Sequence, residues 1–374
     1  MSPKKIELDI ASLSSWFPLP GRIPVIAGPC SAETFEQVMV DAKAIAALGE
    51  VGIFRSGVWK PRTRPNSFEG KGIVALEWLL EVRKQTGLLT TVEVANTEHV
   101  EDALKFGVDI LWIGARTTVN PFSVQEIADS LKGVDIPVLV KNPINPDLNL
   151  WIGALERVNQ AGIKKLAAIH RGFNNYESSH YRNSPRWEIP IQLMTAIPNI
   201  SVICDPSHIT GKRDWVPEVA QKGMNLGMHG LMIETHPDPE NAWSDAEQQV
   251  TPLKLGEILK KLIIRQRESP DHELLDKLIQ LRRIIDSIDE ELLQIIAKRL
   301  KVIEEIGEHK KDHNITIFQL ERWIEILDTR VGLADKLSLD PEFVKRIMSE
   351  IHKESIQIQT DMLNQESRYT SNEK

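Results

Sequence analysis

Eight short apolar runs rich in β-branched residues alternate with longer amphipathic stretches between residues 23 and 264. This alternation is typical of repeated βα units, in which helices join parallel strands. The predicted strands are IPVIAG (23–28), VGIFRSG (51–57), LLTTVEV (88–94), DILWIGA (109–115), PVLVK (137–141), KKLAAIH (164–170), SVICD (201–205) and GLMIE (230–234). Eight units in this length predict an α/β fold, a (β/α)8 TIM barrel. An open doubly wound sheet is disfavoured, because no GxGxxG sequence follows the first strand.

The pattern changes to a helical one after residue 264. The polar segment RQRESPDH predicts a linker or a helix start, with Ser269 as a candidate N-cap and Pro270 at the first helical position. From Leu274 onward, Leu and Ile recur at three- and four-residue steps, which predicts one long amphipathic helix that ends near Lys311. The predicted domains are a barrel over 1–264, a linker over 265–272, an all-α helical domain over 273–365 with shorter helices at 319–336 and 341–363, and a disordered tail over 366–374.

Composition restricts the partners and the compartment. The chain has 374 residues, more than one hydrophobic core usually supports, and a formal net charge of -8. An acidic balance argues against a nucleic-acid partner, which requires a basic face. We find no apolar run of the length of a membrane span or a signal peptide, so no membrane partner is expected. With two cysteines available, we expect a reduced, cytoplasmic protein.

Polar and charged residues cluster at or just past the ends of the predicted strands. They are Cys30, Arg55, Glu93, Arg116, Lys141, Arg171, His208 and Glu234. In a (β/α)8 barrel the catalytic groups lie at this end of the strands. A charge at the end of an apolar strand is costly to bury without a function, although each residue could also simply cap its strand in solvent.

Two basic clusters indicate anionic ligands. The first comprises Arg55, Lys60, Arg62 and Arg64 in the segment FRSGVWKPRTRPNSFEG, and the second comprises Arg116, Lys141 and Arg171. Guanidinium groups bind phosphate and carboxylate oxygens in a bidentate manner. The clusters therefore predict two phosphorylated substrates, or one substrate with several acidic groups. The alternative is a solvated basic face.

A mixed set of donors indicates a metal site. Cys30, His208, Glu234 and Asp245 offer one thiolate, one imidazole and two carboxylates, each near a strand end or the loop beyond it. Such a set suits Mn, Fe, Co or Zn better than Mg. Spacing alone does not establish that the four residues converge, and each could be structural. We interpret Cys204, inside a strand, as part of the core.

Seven motifs in order resemble the single-barrel type I branch of the 3-deoxy-D-arabino-heptulosonate 7-phosphate (DAHP) synthases. They are GPCS (28–31), KPRT (60–63), EVAN (93–96), IGAR (113–116), HRGF (170–173), DPSH (205–208) and SDAEQQ (244–249). The resemblance implies that four residues bind a divalent metal: Cys30, His208, Glu234 and Asp245. It implies that phosphoenolpyruvate is bound by Arg116, Lys141 and Arg171, with Arg55 nearby, and that D-erythrose 4-phosphate is bound by Arg62 and Thr63. It also implies that Lys60 lies between the substrates as proton donor and carboxylate partner, and that Glu93 and Asp205 orient the attacking water and the groups around the metal.

The implied reaction is an aldol-type condensation of the two substrates, the first step of the shikimate pathway. The rival family, 3-deoxy-octulosonate 8-phosphate synthase, lacks the Arg-Thr of KPRT, so the sequence favours the four-carbon acceptor. A metal-dependent hydrolase is a further alternative. Two departures concern the phosphoenolpyruvate pocket: Asn142 and Pro143 stand where Arg-Gly is usual, and His170 stands where an acid is frequent.

The predicted long helix would span roughly 60 Å and has no partner within its own segment that could cover its apolar stripe, so we expect an intertwined homodimer or a larger assembly. Arg282 and Arg299 are about 25 Å apart along one helix and therefore do not bind one small anion from the same chain. Arg299 and Lys310 return to nearly the same face, and Ser355 and Gln359 share a face. Without a further pattern these are ordinary solvated helix surfaces.

These residues, with Arg322, resemble the all-helical chorismate mutases over about residues 271–363. The resemblance implies a pocket for chorismate and prephenate lined by Arg299, Lys310, Arg322, Ser355 and Gln359, completed by Arg282 of a second copy, in which Lys310 and Gln359 act on the substrate ether oxygen. Trp323 departs from the usual glutamate and Gln319 from the usual aspartate. The alternative is an inactive module that senses prephenate or chorismate. In either case we expect feedback regulation of the barrel through this domain.

Overall fold

The computed structural model describes residues 5–19, 21–60, 68–174, 180–265 and 271–370. The chain divides into two compact units, Met1–Arg267 and Glu268–Lys374. Within the described part of the first unit, eight parallel strands follow one another in chain order and close into a barrel. The predicted (β/α)8 fold is therefore confirmed. In the described parts of the chain, no helix has the length and apolar character that a membrane span requires.

The strands are β1 (Val25–Gly28), β2 (Ile53–Arg55), β3 (Leu89–Val94), β4 (Ile110–Ile113), β5 (Val138–Lys141), β6 (Leu166–His170), β7 (Ser201–Cys204) and β8 (Gly230–Glu234). The helices of this unit are α1 (Phe35–Ala46), α2 (Ile73–Thr86), α3 (Thr97–Lys105), α4 (Ala115–Thr118), α5 (Pro121–Ser130), α6 (Leu148–Gln160), α7 (Glu188–Ala196), α8 (Pro206–Thr210), α9 (Val216–Asn225) and α10 (Pro252–Lys261). Short 3₁₀ helices lie at Leu13–Ser15, Arg213–Trp215, Pro239–Asn241 and Ala246–Gln248. Every observed strand lies inside one of the eight predicted runs.

Apolar side chains fill the barrel interior below its carboxyl end. The interior cluster includes Ile26, Ile53, Ile110, Leu139, Ala167, Ile169, Ile203 and Met232. Leu13 and Phe17, which precede the first strand, belong to the same cluster together with Leu89 at the start of β3. The N-terminal segment thus closes the amino-terminal end of the barrel, and the carboxyl end is left for polar groups.

The alternation of strand side chains decides which charges enter the barrel. Successive side chains point to opposite faces, so a residue two positions after an interior residue also faces inward. Ile53, Leu139, Ile203 and Met232 face inward, and the residues two positions later are Arg55, Lys141, Asp205 and Glu234. Glu93 follows the buried Thr91 in the same way. A layer of charged side chains is therefore placed across the carboxyl end.

Polar caps begin most of the longer helices that follow the strands. The side chains of Thr34, Asn96, Asn120, Asp147 and Thr251 each accept a backbone N–H from the first turn of α1, α3, α5, α6 and α10. An N-cap of this kind contributes about 0.5–2 kcal/mol to helix stability. The loops above the barrel thus end at defined residues, which limits the positions available to the side chains they carry.

The second unit consists of three α-helices in its described part, α11 (His272–Asp312), α12 (Leu320–Ala334) and α13 (Pro341–Thr370), with a 3₁₀ turn at Asp335–Leu337. The helix α11 begins later than predicted, because Asp271 is its N-cap and accepts a hydrogen bond from Leu274 N at 3.1 Å. Ser269 and Pro270, the predicted start, lie outside the described residues. The helix α13 continues to Thr370, into the segment predicted as a disordered tail.

Both α11 and α12 pack against α13. A Cβ added at Gly307 of α11 would lie 3.0 Å from Met362 Sδ, so the two helices approach closely there. An apolar stripe of α11 is exposed in the described structure: Ile284, Ile288, Leu292 and Ile295 are each more than half exposed. An exposed apolar stripe of this length usually marks a protein interface.

A buried carboxylate on α1 faces the end of β8. Asp41 is fully buried, and its Oδ2 accepts a hydrogen bond from Thr235 Oγ1 at 2.8 Å. Burial raises the pKa of Asp41 to about 7, and the Thr235 hydroxyl and the nearby His236 lower it by less. The folded chain therefore binds the proton of Asp41 more tightly than the unfolded chain does.

We predict that Asp41→Asn stabilises the barrel above pH 7 and has little effect near pH 4. As pH rises from about 4 to about 7, Asp41 releases its proton in the unfolded chain, whereas burial opposes its ionisation in the folded chain. The free energy of unfolding of the wild type therefore falls by up to about 4 kcal/mol. The asparagine has no such dependence and can still accept from Thr235. Thermal unfolding between pH 4 and 8 should show a melting-temperature difference that grows with pH. A difference that stays constant, as we expect for the exposed Glu101→Gln, would contradict the prediction.

Candidate active site

Two buried ion pairs occupy the carboxyl end of the barrel. Arg55 Nη2 lies 3.1 Å from Glu234 Oε1, and Lys141 Nζ lies 3.0 Å from Asp205 Oδ2. All four side chains are nearly or fully buried. Burial raises the pKa of Asp205 and of Glu234, but the surrounding cations lower both by more, so that each carboxyl has a pKa below its ordinary value. The two acids are therefore held ionised inside the barrel.

Trp112 forms the apolar support of these charges. The guanidinium carbon of Arg55 lies 4.9 Å from the centre of the indole ring, and Lys141 Nζ lies 5.8 Å from it. The indole Nε1 donates to Glu93 Oε2 at 2.9 Å. Cation–π contacts of this kind are stronger where water is excluded. One aromatic side chain thus positions three of the predicted site residues.

Capping geometry places His208 beside Asp205. Asp205 is the N-cap of α8, and its Oδ1 accepts from His208 N at 3.1 Å. The carboxylate also lies 2.8 Å from His208 Nδ1 through Oδ2. Burial lowers the pKa of His208, although the charge of Asp205 opposes this effect. The neutral ring, held at Nδ1, directs Nε2 toward Glu234 Oε1 at 3.6 Å.

Cys30 lies beside Lys60 and Asp245. Its Sγ is 2.9 Å from Lys60 Nζ and 3.1 Å from Asp245 Oδ2. Burial and the negative charge of Glu234 raise the pKa of Cys30 to about 12, whereas Lys60 lowers it. Asp245 Oδ1 accepts from Arg182 Nη1 at 2.9 Å. Burial raises the pKa of Asp245, but the charges of Arg182 and Lys60 lower it by a larger amount, so the carboxylate is ionised.

The four predicted metal ligands form two contacting pairs, Cys30 with Asp245 and His208 with Glu234. Donor atoms bound to one ion at about 2.0–2.3 Å lie roughly 3.0–3.7 Å apart, which matches both separations. Within the described residues, no three His, Cys, Asp or Glu side chains are gathered tightly enough to hold an ion. Each acidic donor is instead engaged by a cation: Glu234 by Arg55 and Asp245 by Arg182. The donor types fit a transition metal, and the ligand assignment stays a prediction.

A cavity of about 370 Å³ lies next to these pairs. It is lined by Glu93, Ala115, Arg116, Lys141, Ile144, Arg171, Asn174 and His208. Three permanent cations and one carboxylate thus face a space of the size that small ligands occupy. The excess of positive charge favours an anion with more than one acidic group.

The guanidinium of Arg171 has a lowered pKa. Burial, opposed by the charge of Asp205 and reinforced by the charges of Arg182 and Arg116, lowers this pKa to about 10. Its Nη1 donates to Asn183 Oδ1 at 2.9 Å and to Gly172 O at 3.3 Å, both neutral acceptors. A bound anion between Arg171 and Arg116 would relieve their mutual repulsion.

The two departures near this cavity have structural explanations. Asn142 is fully buried, donates to Pro143 O and Gly172 O at 2.8 Å each, and accepts from Arg171 N at 2.7 Å. It therefore fixes the loop that carries Arg171. His170 lies on the outer face of its strand among Trp151, Phe173 and Trp187. Burial and Arg171 lower the pKa of His170 to about 3, so it is neutral and packs with the core.

Close backbone approaches explain two glycines of the motifs. A Cβ on Gly28, which has φ +148°, would lie 2.0 Å from Arg55 O, and one on Gly114 would lie 2.1 Å from Glu93 Oε1. The first glycine allows the turn that carries Cys30 to pass over β2. The second leaves room for the carboxylate of Glu93.

Sequence reasoning missed several polar contacts of the site. Asn183 bridges Arg171 and His208, because its Nδ2 donates to His208 O at 2.6 Å. Gln248 Nε2 donates to Glu234 Oε2 at 2.6 Å, and Arg182 donates to Gln248 Oε1 at 2.8 Å. The polar run HYRNSP was a signal for Arg182 and Asn183. Trp112 could have been found from strand parity, since it stands two positions after the interior Ile110.

Arg62 and Thr63, predicted to bind the second substrate, lie outside the described residues, as does Arg64. Cys204 is buried on the outer face of β7, and its interpretation as core is confirmed.

In the helical unit, α11 and α13 bring three predicted residues together. Arg299 Nη1 donates to Ser355 Oγ at 2.8 Å, and Gln359 Nε2 donates to Ser355 O at 3.2 Å. Burial lowers the pKa of Lys310, whose Nζ donates to Ile317 O at 2.6 Å. Burial lowers the pKa of His352, and the charges of Arg299 and Lys310 lower it as well.

Trp323, the departure from glutamate, stacks on this imidazole. The ring centres of Trp323 and His352 are 4.0 Å apart, and their planes differ by 11°. Arg322 lies on an exposed surface, paired with Glu325 at 2.6 Å. Arg282 is exposed on the first half of α11. Gln319 is the N-cap of α12 without a side-chain capping bond.

Comparisons with known proteins place both units. A family model described as the DAHP synthetase I family matches residues 21–268, and one described as chorismate mutase type II matches residues 281–360. A phospho-2-dehydro-3-deoxyheptonate aldolase of Thermotoga maritima is 31% identical over 251 residues, which cover 67% of this chain and 71% of that protein. A 2-dehydro-3-deoxyphosphooctonate aldolase of Nitratidesulfovibrio vulgaris is 27% identical over 271 residues, covering 65% and 92% respectively.

Solved structures of DAHP synthases are also similar to this chain. The crystal structure of a DAHP synthase from Thermotoga maritima aligns with a TM-score of 0.59 and 30% identity, over 64% of this chain and 68% of that chain. A truncated form of a 3-deoxy-D-arabino-heptulosonate 7-phosphate synthase from Thermotoga maritima aligns with a TM-score of 0.56 and 27% identity, over 64% and 85%. These alignments cover about two thirds of the present chain.

Proposed function

The chain belongs to the DAHP synthetase I family and carries a chorismate mutase type II domain, and we propose that one polypeptide catalyses both reactions. The barrel condenses phosphoenolpyruvate with D-erythrose 4-phosphate to DAHP and phosphate, and the helical unit rearranges chorismate to prephenate. Both reactions belong to the shikimate pathway and aromatic biosynthesis. A reduced, cytoplasmic location accords with the two unpaired cysteines Cys30 and Cys204.

One observation carries the proposal for the barrel. The cavity with Arg116, Lys141 and Arg171 is also lined by His208, which contacts the buried Glu234. Phosphoenolpyruvate has a phosphate and a carboxylate on adjacent positions, so it needs several cations in a small volume. In our assignment these three cations bind both groups, which also relieves the repulsion between Arg116 and Arg171.

The chain's own residues would guide the condensation. C3 of phosphoenolpyruvate attacks the aldehyde carbon, and the aldehyde oxygen takes up a proton, for which Lys60 beside Cys30 is the candidate donor. Water then adds at C2 and loses a proton, with Glu93 and Asp205 as candidates to orient it. The C2–O bond to phosphate finally breaks and leaves the ketone. Arg55, fixed between Glu234 and Trp112, balances charge near the reacting carbons.

We assign Cys30, His208, Glu234 and Asp245 as ligands of a divalent Mn, Fe, Co or Zn ion. Their donor types and the two pair separations support this assignment, and the family is generally metal-dependent. When bound, the ion supplies Lewis acidity that polarises the aldehyde oxygen. Arg62 and Thr63 of the KPRT motif are assigned to the phosphate of erythrose 4-phosphate.

In the helical unit, cationic side chains would hold the two carboxylates of chorismate. Arg299 donates to Ser355, and the charges of Arg299 and Lys310 both act on His352. Lys310 and Gln359 donate to the ether oxygen, on which negative charge develops during the rearrangement. Trp323 offers an aromatic face in place of the usual carboxylate, which would weaken recognition of the substrate hydroxyl. Arg322 completes the set if its pair with Glu325 opens.

We further propose that the helical unit forms a homodimer. The exposed stripe of α11 needs a cover, and Arg282 is too far along this helix to reach Arg299 of the same chain. A twofold arrangement of two α11 helices would cover the stripe and bring Arg282 of one copy to the pocket of the other.

Our first prediction for this function concerns metal and acceptor specificity. Full-length protein should condense phosphoenolpyruvate with erythrose 4-phosphate, lose activity with a chelator, and regain it with Mn, Co, Fe or Zn. Cys30→Ser should lower turnover by at least about 100-fold, since even residues that only orient metal ligands contribute about 10- to 100-fold. Cys204→Ala is the matched buried-cysteine control. Preference for arabinose 5-phosphate would identify an octulosonate synthase, and activity indifferent to chelation would remove the metal from the mechanism.

A second prediction tests the shared pocket. Arg282→Ala and Arg299→Ala should each abolish most mutase activity in the full chain. When the two variants are mixed and re-associate at random, half of the dimers contain one chain of each variant. One of the two pockets in such a mixed dimer has both arginines intact, so about a quarter of wild-type activity should return. Chorismate consumption measures this directly. Recovery near zero would mean that Arg282 acts within its own chain, and an inactive wild type would favour the sensing module.

A third prediction concerns regulation. If ligand in the helical unit favours one arrangement of the enzyme, prephenate should inhibit the condensation. Inhibition should disappear in a chain that ends at Arg267 and weaken in the full-length Arg299→Ala variant. Inhibition that persists unchanged in both would assign the effect to the barrel itself.

A further inference from the structure

One buried carboxylate beside the site has no role in the mechanism above. Glu33 follows Cys30 by three residues, before α1 begins, and is 3% exposed. Its Oε1 accepts from Trp243 N at 2.7 Å, and its Oε2 lies 3.3 Å from His236 Nε2. His236 Nδ1 accepts from Asp238 N at 3.0 Å, so Nε2 carries the ring proton and donates to Glu33.

These contacts join three segments that carry predicted metal ligands. Trp243 stands two residues before Asp245, and His236 stands two residues after Glu234. Glu33 itself belongs to the segment of Cys30. Because the carboxylate uses one oxygen for each distant segment, its loss would release both of them from the turn that follows β1.

The loop that carries Asp245 needs such support. Asp245 adopts φ 45° and ψ 42°, a left-handed conformation that costs a non-glycine residue of order 1 kcal/mol or more. Gln249 adds a second connection, because its Oε1 accepts from Cys30 N at 2.9 Å and its Nε2 donates to Ser244 O at 2.8 Å. The side chains of Ser31 and Ser244 are also in hydrogen-bond contact.

We propose that Glu33 is a positioning residue of the metal site, whose carboxylate holds the segments of Cys30, Glu234 and Asp245 at fixed mutual positions. The inference rests on the ligand assignment made under the proposed function. Glu33 does not touch substrate or metal; it acts through the backbone of Trp243 and the imidazole of His236. Residues that orient metal ligands in this indirect way contribute about 10- to 100-fold to metal affinity.

The test is a cobalt titration of metal-free, full-length protein, followed by the near-ultraviolet absorbance of the thiolate–cobalt bond. In Glu33→Gln the amide can accept from Trp243 N or from His236 Nε2, but its NH₂ group then faces the other donor. We expect the cobalt Kd to rise by about 10- to 100-fold. Glu36→Gln, an exposed acid three residues later, should retain the wild-type Kd. At saturating cobalt, the KM for phosphoenolpyruvate should be unchanged in both.

The outcomes separate the two proposals. A wild type without the thiolate band, or a Cys30→Ser variant that keeps it, would overturn the ligand assignment. A normal wild-type titration with an unchanged Kd in folded Glu33→Gln would overturn the positioning role. Thermal unfolding of the metal-free variants establishes that they are folded. If Glu33→Gln does not fold, His236→Asn keeps an acceptor for Asp238 N and removes the donor to Glu33, and an unchanged Kd there would equally refute the proposal.

Discussion

The carboxyl end of the barrel depends on the pairing of charges that the strands place inside it. An unpaired buried charge costs several kcal/mol, and removing one partner of a buried pair typically costs about 3–5 kcal/mol. Arg55 with Glu234 and Lys141 with Asp205 therefore form one interdependent layer above Trp112. Asp205 links this layer to His208 through the cap of α8. The interactions that stabilise this layer thus also fix the side-chain orientations of the predicted metal ligands His208 and Glu234.

Charge is not balanced uniformly across this surface. On the side of Cys30 and Asp245, the carboxylate of Asp245 is paired with Arg182, and Lys60 contacts the Cys30 thiol. On the side of the cavity, Lys141 is paired with Asp205, and Arg116 and Arg171 outnumber Glu93. A multiply charged anion would therefore be attracted to the cavity side, next to the predicted metal ligands. This arrangement suits a reaction in which an enol phosphate, held by the cations of the cavity, meets an aldehyde that a bound ion would polarise.

The sequence was most informative where a physical period controls the structure. Alternation predicted all eight strands, and the three- to four-residue period predicted the helices of the second unit, because burial of one face imposes both periods. Strand parity also explains why Arg55, Lys141 and Glu234 face inward. The sequence did not predict the contacts of Glu33 or Asn183, since these join residues far apart in the chain through irregular loops. The start of α11 was wrong because Asp271 competes with Ser269 as a cap, and spacing does not rank two good caps. Spacing also could not show that the four predicted metal ligands form two contacting pairs, Cys30 with Asp245 and His208 with Glu234.

Closure of the barrel has a consequence for how the chain is made. The strand β1 pairs with β8, with Val25 opposite Leu231, so the first strand has one unpaired edge until more than two hundred residues have been synthesised. An open parallel sheet exposes backbone groups and apolar surface that invite association with other nascent chains. During synthesis on the ribosome, the N-terminal two thirds of the chain therefore cannot close into a barrel until β8 has been made. The helical unit follows β8 in the chain, so it is synthesised only after the last strand that the barrel needs for closure.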